Sequence, residues 1–229
     1  MATRSGKKAR KQQVNPRQNP IEYGFKDVKP LNYIQEQYLD AIRQNEVVFG
    51  VGSAGTGKTY VAASYAAGEL FHRRINKIIL TRPNVETGRG LGFLPGELEE
   101  KYAPYLEPFD NVFQRCLGKG FYEYAIKNKD IEPRPIGFMR GATFDNAIVL
   151  VDEAQNLTKT ELKMLLSRIG KNCKVILSGD PDQRDLGNSG LEDAIKRLEG
   201  IEGIEIVRFL EQDIVRSKMC KQIILAYKD

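Results

Sequence analysis

Histidine is nearly absent: His72 is the only one in 229 residues. That sets aside a His-based zinc site and a Ser-His-Asp hydrolase centred elsewhere. The three cysteines, Cys116, Cys173 and Cys220, form no C-x-x-C pair, and an odd, scattered count argues against a disulfide framework. No stretch approaches the roughly 18 consecutive apolar residues that a membrane helix needs. The basic N-terminus leads into no apolar segment of a secretory signal, and internal repeats are missing. At this length one buried core is expected, and two domains of ordinary size plus a linker are not. The expectation is a soluble, cytoplasmic, single-core protein with no membrane partner.

The formal net charge of +5 belongs to one end. Residues 1–21 carry Arg4, Lys7, Lys8, Arg10, Lys11 and Arg17, six of the 35 basic residues and none of the 30 acids, leaving 29 against 30 elsewhere. This segment has too little apolar surface to repay ordering, so it reads as a disordered basic tail before a domain over residues 22–229. Such a tail is either a nucleic-acid-binding arm, acting by counterion release, or a solubilising leader.

Past the tail, short β-branched runs alternate with longer helical patterns. Glu46–Val51, Lys77–Thr81, Ala147–Val151, Lys174–Leu177 and Ile204–Phe209 read as strands, apolar enough to be covered on both faces. Lys58–Phe71, Glu97–Leu117, Lys159–Ile169, Gly190–Leu198 and Asp213–Tyr227 read as helices. The alternation implies an α/β fold with a parallel sheet, right-handed crossovers and helices on both faces. Two prolines, Pro133 and Pro135, and scattered glycines mark Lys119–Thr143 as one insertion of irregular or hairpin structure.

Between the first strand and first helix, Gly52-Ser53-Ala54-Gly55-Thr56-Gly57-Lys58-Thr59 fits G-x-x-x-x-G-K-[ST]. Glycines let the backbone wrap phosphates, and successive N–H groups with the helix N-terminus point at the anion. Lys58 is expected at the β/γ-phosphates and the Thr59 hydroxyl on Mg²⁺. The run Ala147–Val151 delivers Asp152 and Glu153 at its end: Asp152 suits the second Mg²⁺-holding group, and Glu153 suits the residue that polarises the attacking water. Two such acids also serve simply to cap a following helix. Ser178-Gly179-Asp180-Pro181-Asp182-Gln183 emerges on the same sheet edge, where Gln183 either senses the γ-phosphate or sits in a Pro-Asp turn.

The strings GVGSAGTGKTYVAA, TRPNVETGRGLGFLPGELEEKYAPYLEPFDNVF, FMRGATFDNAIVLVDEAQN, RIGKNCKVILSGDPDQRDL and DIVRSKMCKQII resemble the PhoH-like family, from about residue 31 to residue 229. The family consists of P-loop ATPases on a RecA-like core related to superfamily 1 helicases. The resemblance implies a P-loop NTPase fold, ATP and Mg²⁺ as cofactors, and the Walker A and B roles already given to Lys58, Thr59, Asp152 and Glu153. It places Gly179, Asp180 and Gln183 in a helicase-like third motif. It puts Gln35 at the adenine edge, where an amide donates and accepts together, or else leaves it an ordinary surface glutamine. Arg82 and Pro83 fall where related helicases contact single-stranded nucleic acid, or form a strand-ending turn. Arg140 and Arg216 match arginines that act on phosphates or as a finger supplied to a neighbour, with Arg216 slightly favoured. Ser217 stands where histidine is common in the family.

Helical spacing favours a core or interface face over base stacking for Tyr102, Tyr105, Phe109, Phe113 and Phe121, and His72 reads as a surface residue. The expected function is a Mg²⁺-dependent ATPase coupled to RNA or single-stranded DNA in a homo-oligomeric ring, hexameric by resemblance. ATP-driven remodelling of a protein partner and small-molecule phosphorylation are the alternatives.

Overall fold

The computed structural model describes residues 24–27, 29–83, 107–183 and 189–226. The basic tail, Tyr102 and Tyr105, and the first ten residues of the helix expected from Glu97 lie outside them. The described elements are α1 (Tyr33–Gln44), β1 (Val47–Gly52), α2 (Lys58–Phe71), β2 (Lys77–Thr81), α3 (Glu107–Leu117), α4 (Lys119–Lys127), β3 (Ile131–Pro133), β4 (Ala147–Val151), α5 (Lys159–Leu166), β5 (Cys173–Gly179), α6 (Gly190–Leu198), β6 (Ile204–Phe209) and α7 (Lys218–Ala226). Single 3₁₀ turns follow β3, β4, β5 and β6.

The described strands form one six-stranded sheet, ordered β3-β2-β4-β5-β1-β6 and parallel throughout. Parallel pairing requires crossovers that put helices on the faces, so the central strands are buried on both sides. In β4, Ile148 and Leu150 face α1–α4 with Tyr38, Val61 and Phe113, whereas Val149 and Val151 face α5 and α6 with Leu162, Leu165 and Leu191. This period of two explains why β4 reads as an unbroken apolar run. Phe109, Phe113 and Phe121 are at most 3% exposed, so the described part of the aromatic series is core.

Local chemistry sets the helix starts. Asn32 caps α1 by accepting from the Gln35 backbone N–H at 3.1 Å. Thr158 and Glu161 form a reciprocal capping box at α5. Ser189 caps α6 by accepting from Leu191 N at 3.2 Å.

Beyond shifts of one or two residues at the ends of β1 and β5, four features differ from the sequence reading. Helix α1 was not foreseen, although Tyr38, Leu39 and Ile42 lie on one buried face. The segment taken for an irregular or hairpin insertion holds α4 and then β3, which joins the sheet parallel to β2 at its edge. The turn Ile136–Met139 completes it. Helix α5 ends at Leu166 rather than Ile169, where Ser167 O–H bonds back to Met164 O at 2.7 Å. Helix α7 starts at Lys218 rather than Asp213, because Glu211–Asp213 closes a 3₁₀ turn in which Asp213 accepts from Leu210 N.

Candidate active site

In a parallel sheet all strands end on one side, so the loops after β1, β2, β4 and β5 collect at one edge. Between β1 and β4 lies β5, which brings Asp180 in between the phosphate loop and the Asp152-Glu153 pair. The loops enclose a cleft of about 760 Å³ lined by Lys58, Thr59, Arg82, Asp152, Glu153 and Gln183, among others.

The loop itself needs its glycines. At Gly52 (φ 128°) a Cβ would lie 1.9 Å from the Phe209 carbonyl oxygen at the end of β6. Gly57, the N-cap residue of α2, has φ 86°, and a Cβ there would come 2.6 Å from Gln35 Nε2. With no side chain to cap α2, Gly57 leaves the helix's first N–H groups turned to whatever anion enters.

Lys58 Nζ donates to Gly52 O at 2.6 Å, Ser53 O at 2.8 Å and Thr56 Oγ1 at 3.2 Å, and lies 5.6 Å from the Phe209 ring centroid. Burial pushes the Lys58 ammonium down to about 8, against the opposing pull of Asp180, Asp152 and Glu153. Thr59 Oγ1 donates to Asp152 Oδ1 at 2.9 Å, across 93 residues of chain. Burial, with the Glu153 charge adding to it, holds the Asp152 carboxyl above its ordinary value, while the Thr59 hydrogen bond opposes the rise. Burial likewise raises Asp180, whose Oδ2 accepts from Ala54 N at 3.0 Å and so ties the loop after β5 to the phosphate loop.

A hydroxyl and a carboxylate in contact beside a phosphate cradle are the hard oxygen donors that suit Mg²⁺. A cation there would offset the charge that burial disfavours on Asp152. Among the described residues no cluster of three or more acidic, histidine or cysteine side chains could hold a metal alone. Thr59 and Asp152 therefore fit an ion completed by phosphate oxygens and water.

Glu153 sits in the left-handed region, φ 52° and ψ 40°, which is uncommon for a residue with a side chain. Its Oε1 accepts from Arg82 Nη2 at 3.0 Å and its Oε2 from Gln155 Nε2 at 2.5 Å. Gln155, which the sequence reading passed over, also donates to Gln183 O at 3.3 Å and accepts from Asp180 N at 3.0 Å. One buried amide thus joins the loops after β4 and β5. Its place two residues beyond Glu153 was the only local signal available.

Gln35 is fully buried, not a surface glutamine. Its Nε2 donates to Thr56 O at 2.9 Å and its Oε1 accepts from Leu31 N at 2.9 Å, bracing the phosphate loop from behind. One N–H and one lone pair remain, the pair that an adenine edge takes. Arg216 lines the same cleft as its own phosphate loop, its Cγ 2.8 Å from where a Cβ on Gly55 would stand. Arg140 is exposed, follows the turn Ile136–Met139 and is not among the cleft residues. Arg115, unremarked in the sequence, also lines the cleft and stacks its guanidinium 5.9 Å from the Tyr60 ring centroid.

An all-parallel sheet with this loop and acid pair at its carboxyl edge defines a P-loop nucleotide-binding protein on a RecA-like core. A family model described as PhoH-like protein matches residues 27–228, and the chain belongs to that family. It is 43% identical over 210 residues to Protein PhoH of Escherichia coli (strain K12), covering 88% of this chain and 59% of that one. It is 45% identical over 196 residues to the PhoH-like protein of Bacillus subtilis (strain 168), covering 84% and 61% respectively. The chain thus spans about three-fifths of the length of these curated relatives. In fold alone it is similar to the large terminase from a thermophilic bacteriophage, with a TM-score of 0.50 over 88% of this chain and 51% of that one, at 12% identity. No helix among the described residues is long and apolar enough to cross a membrane.

Proposed function

We propose that the protein is a Mg²⁺-dependent ATPase whose turnover is coupled to binding or remodelling RNA or single-stranded DNA in a ring of like subunits. The observation that carries the ATPase reading is the meeting in one cleft of Lys58, the Thr59–Asp152 pair and Glu153. Lys58 and the loop N–H groups take the charge of the β- and γ-phosphates. Thr59 and Asp152 would hold Mg²⁺, which would supply positive charge to offset that of the phosphate oxygens. Glu153 accepts a proton from water as its oxygen bonds to the γ-phosphorus; the bond from that phosphorus to the bridging oxygen breaks, releasing ADP and inorganic phosphate. Gln183, tied through its carbonyl to Gln155, follows the departure of the γ-phosphate.

The polynucleotide part of the reading is supported by the six basic residues of the tail, by Arg82 and Arg115 on the cleft wall, and by the family's helicase relationship. Within a ring, Arg216 acts on its own subunit's nucleotide, and exposed Arg140 becomes the arginine offered to the neighbour. This reverses the slight preference drawn from sequence.

The test pairs two variants. Lys58→Ala weakens binding of a fluorescent ATP analogue, because the ammonium meets ground-state charge. Glu153→Gln keeps binding and slows phosphate release by roughly 10²- to 10⁴-fold. Wild-type turnover by Glu153→Gln would remove Glu153 from the chemistry. Turnover unmoved by poly(U) and by oligo(dT) would leave an ATPase without the polynucleotide coupling.

A further inference from the structure

Among the described residues eight large apolar side chains are exposed, and six of them, Leu31, Tyr33, Leu210, Val215, Met219 and Ile223, belong to two segments that meet. Asn32 Nδ2 donates to Asp213 O at 3.2 Å, joining the start of α1 to the turn after β6. Lys221 Nζ donates to Gln212 O at 3.1 Å and fixes α7 on the same turn, with Met219 and Ile223 four residues apart on one exposed helix face. Val215 N donates to Gly55 O at 3.0 Å, and Leu31 and Val215 line the cleft, so the patch reaches the lip of the nucleotide site. Apolar side chains gathered in this way mark an interaction surface.

Another of the eight is Phe138, 64% exposed, in the turn Ile136–Met139. Ile136 and Met139 are buried in the core on either side of it, Phe138 N donates to Pro135 O at 2.9 Å, and Ala142 N donates to Met139 O at 3.1 Å. An aromatic ring held outward on an anchored backbone enters a partner with little further ordering. Two residues on stands Arg140, exposed and outside its own cleft. The patch follows β6 and Phe138 follows β3, the two terminal strands of the sheet. Five interstrand steps of about 4.8 Å each separate those strands, so patch and ring meet only between copies placed head to tail, the contact that generates rings. A patch-to-patch dimer would leave Phe138 bare, and a polynucleotide would ask for cations where the patch offers apolar side chains.

We propose that the apolar patch at the end of β6 is the seat for Phe138 of a second copy of this chain, and that seating it carries Arg140 to the lip of the neighbour's cleft. The proposal rests on the ring reading of the ATPase and names its contact.

The experiment is sedimentation of the full chain with Mg²⁺ and a non-hydrolysable ATP analogue, for wild type, Phe138→Asp, Met219→Asp and an equal mixture of the two variants. The expected result is that wild type assembles and each variant alone stays monomeric. The mixture forms dimers and nothing larger, because Met219→Asp still offers Phe138 while Phe138→Asp still offers the patch. Phe138→Ala weakens association by roughly tenfold per interface and carries the test should an aspartate variant fold poorly. With ATP, the mixed dimers turn over faster than either variant alone, and adding Arg140→Ala to the Met219→Asp chain removes that gain but not the dimers. If Phe138→Asp and Phe138→Ala assemble as wild type does, or the two monomeric variants form no dimer when mixed, the seat is refuted and the ring reading stands. Wild type that stays monomeric at every concentration overturns the ring reading and the seat together. Dimers without a gain in turnover refute the delivery of Arg140 and leave the seat.

Discussion

Replacing Gln35 by alanine removes an amide that is buried and bonded at both ends. Leu31 is 68% exposed, so its N–H finds water when Oε1 is lost. Thr56 is fully buried, so its carbonyl is left without the 2.9 Å bond from Nε2. An orphaned buried acceptor costs about 1–3 kcal/mol, or roughly 2–12 °C in Tm for a chain of this size. The same bond fixes the loop peptide whose neighbours cradle phosphate, and one such hydrogen bond is worth about 1 kcal/mol. Nucleotide affinity therefore falls by roughly fivefold. Because the brace acts on the loop and not on the base, ATP and GTP both suffer this loss. Titrating labelled ATP and GTP against Gln35→Ala, beside a thermal melt, separates the roles: any excess loss for ATP measures the adenine contact. Unchanged GTP affinity would refute the brace.

Burial pushes the Glu132 carboxyl up, but hydrogen bonds from Lys77 and Arg134 outweigh it and leave the group below its ordinary value. A lowered carboxyl stabilises the fold above its unfolded value, and that support is lost as pH falls through the folded one. The stability gap between wild type and Glu132→Gln should therefore close on acidification, in melts across the carboxylate range; a constant gap would contradict it. Deleting residues 1–20 removes six positive charges, so the slope of log affinity against log salt for single strands should flatten by no more than about 4 while ATP turnover without polymer persists. An unchanged slope would make the segment a leader. Gly52→Ala meets a left-handed backbone and the Phe209 carbonyl together. The backbone strain alone costs about 1–3 kcal/mol, so a melt within about 1 °C of wild type would contradict the close approach.

Local pattern carried most of the fold. Strands β1, β2, β4 and β5 were legible because burial on both faces leaves uninterrupted apolar, β-branched runs, whereas β6, an edge strand with Glu205 and Arg208 exposed, was legible from its β-branched residues Ile204, Ile206 and Val207. Strand β3 was not, since three residues ending in proline carry almost no strand signal; it exists because β2 offers it an edge to pair with. Helix α1 has a capping asparagine and an apolar stripe, but Glu36, Gln37, Asp40 and Arg43 on its outer face dilute the run. The phosphate loop and its acids were visible because their function needs fixed residue types at fixed spacing. The Arg82–Glu153 pair joins residues 71 apart in sequence, and Gln155 works through partners 28 and 25 away, so only the assembled sheet reveals them.

The two outermost strands bear on how copies of the chain can meet. A parallel sheet grows into fibres when a terminal strand pairs with that of the next molecule. Strand β3 is three residues long and ends in Pro133, whose nitrogen has no hydrogen to donate. Strand β6 is longer but turns Glu205 and Arg208 to solvent, charges that a stacked neighbour would have to desolvate. Among the described residues both terminal strands thus resist runaway stacking, so a finite assembly of copies would have to form through loops and helices instead.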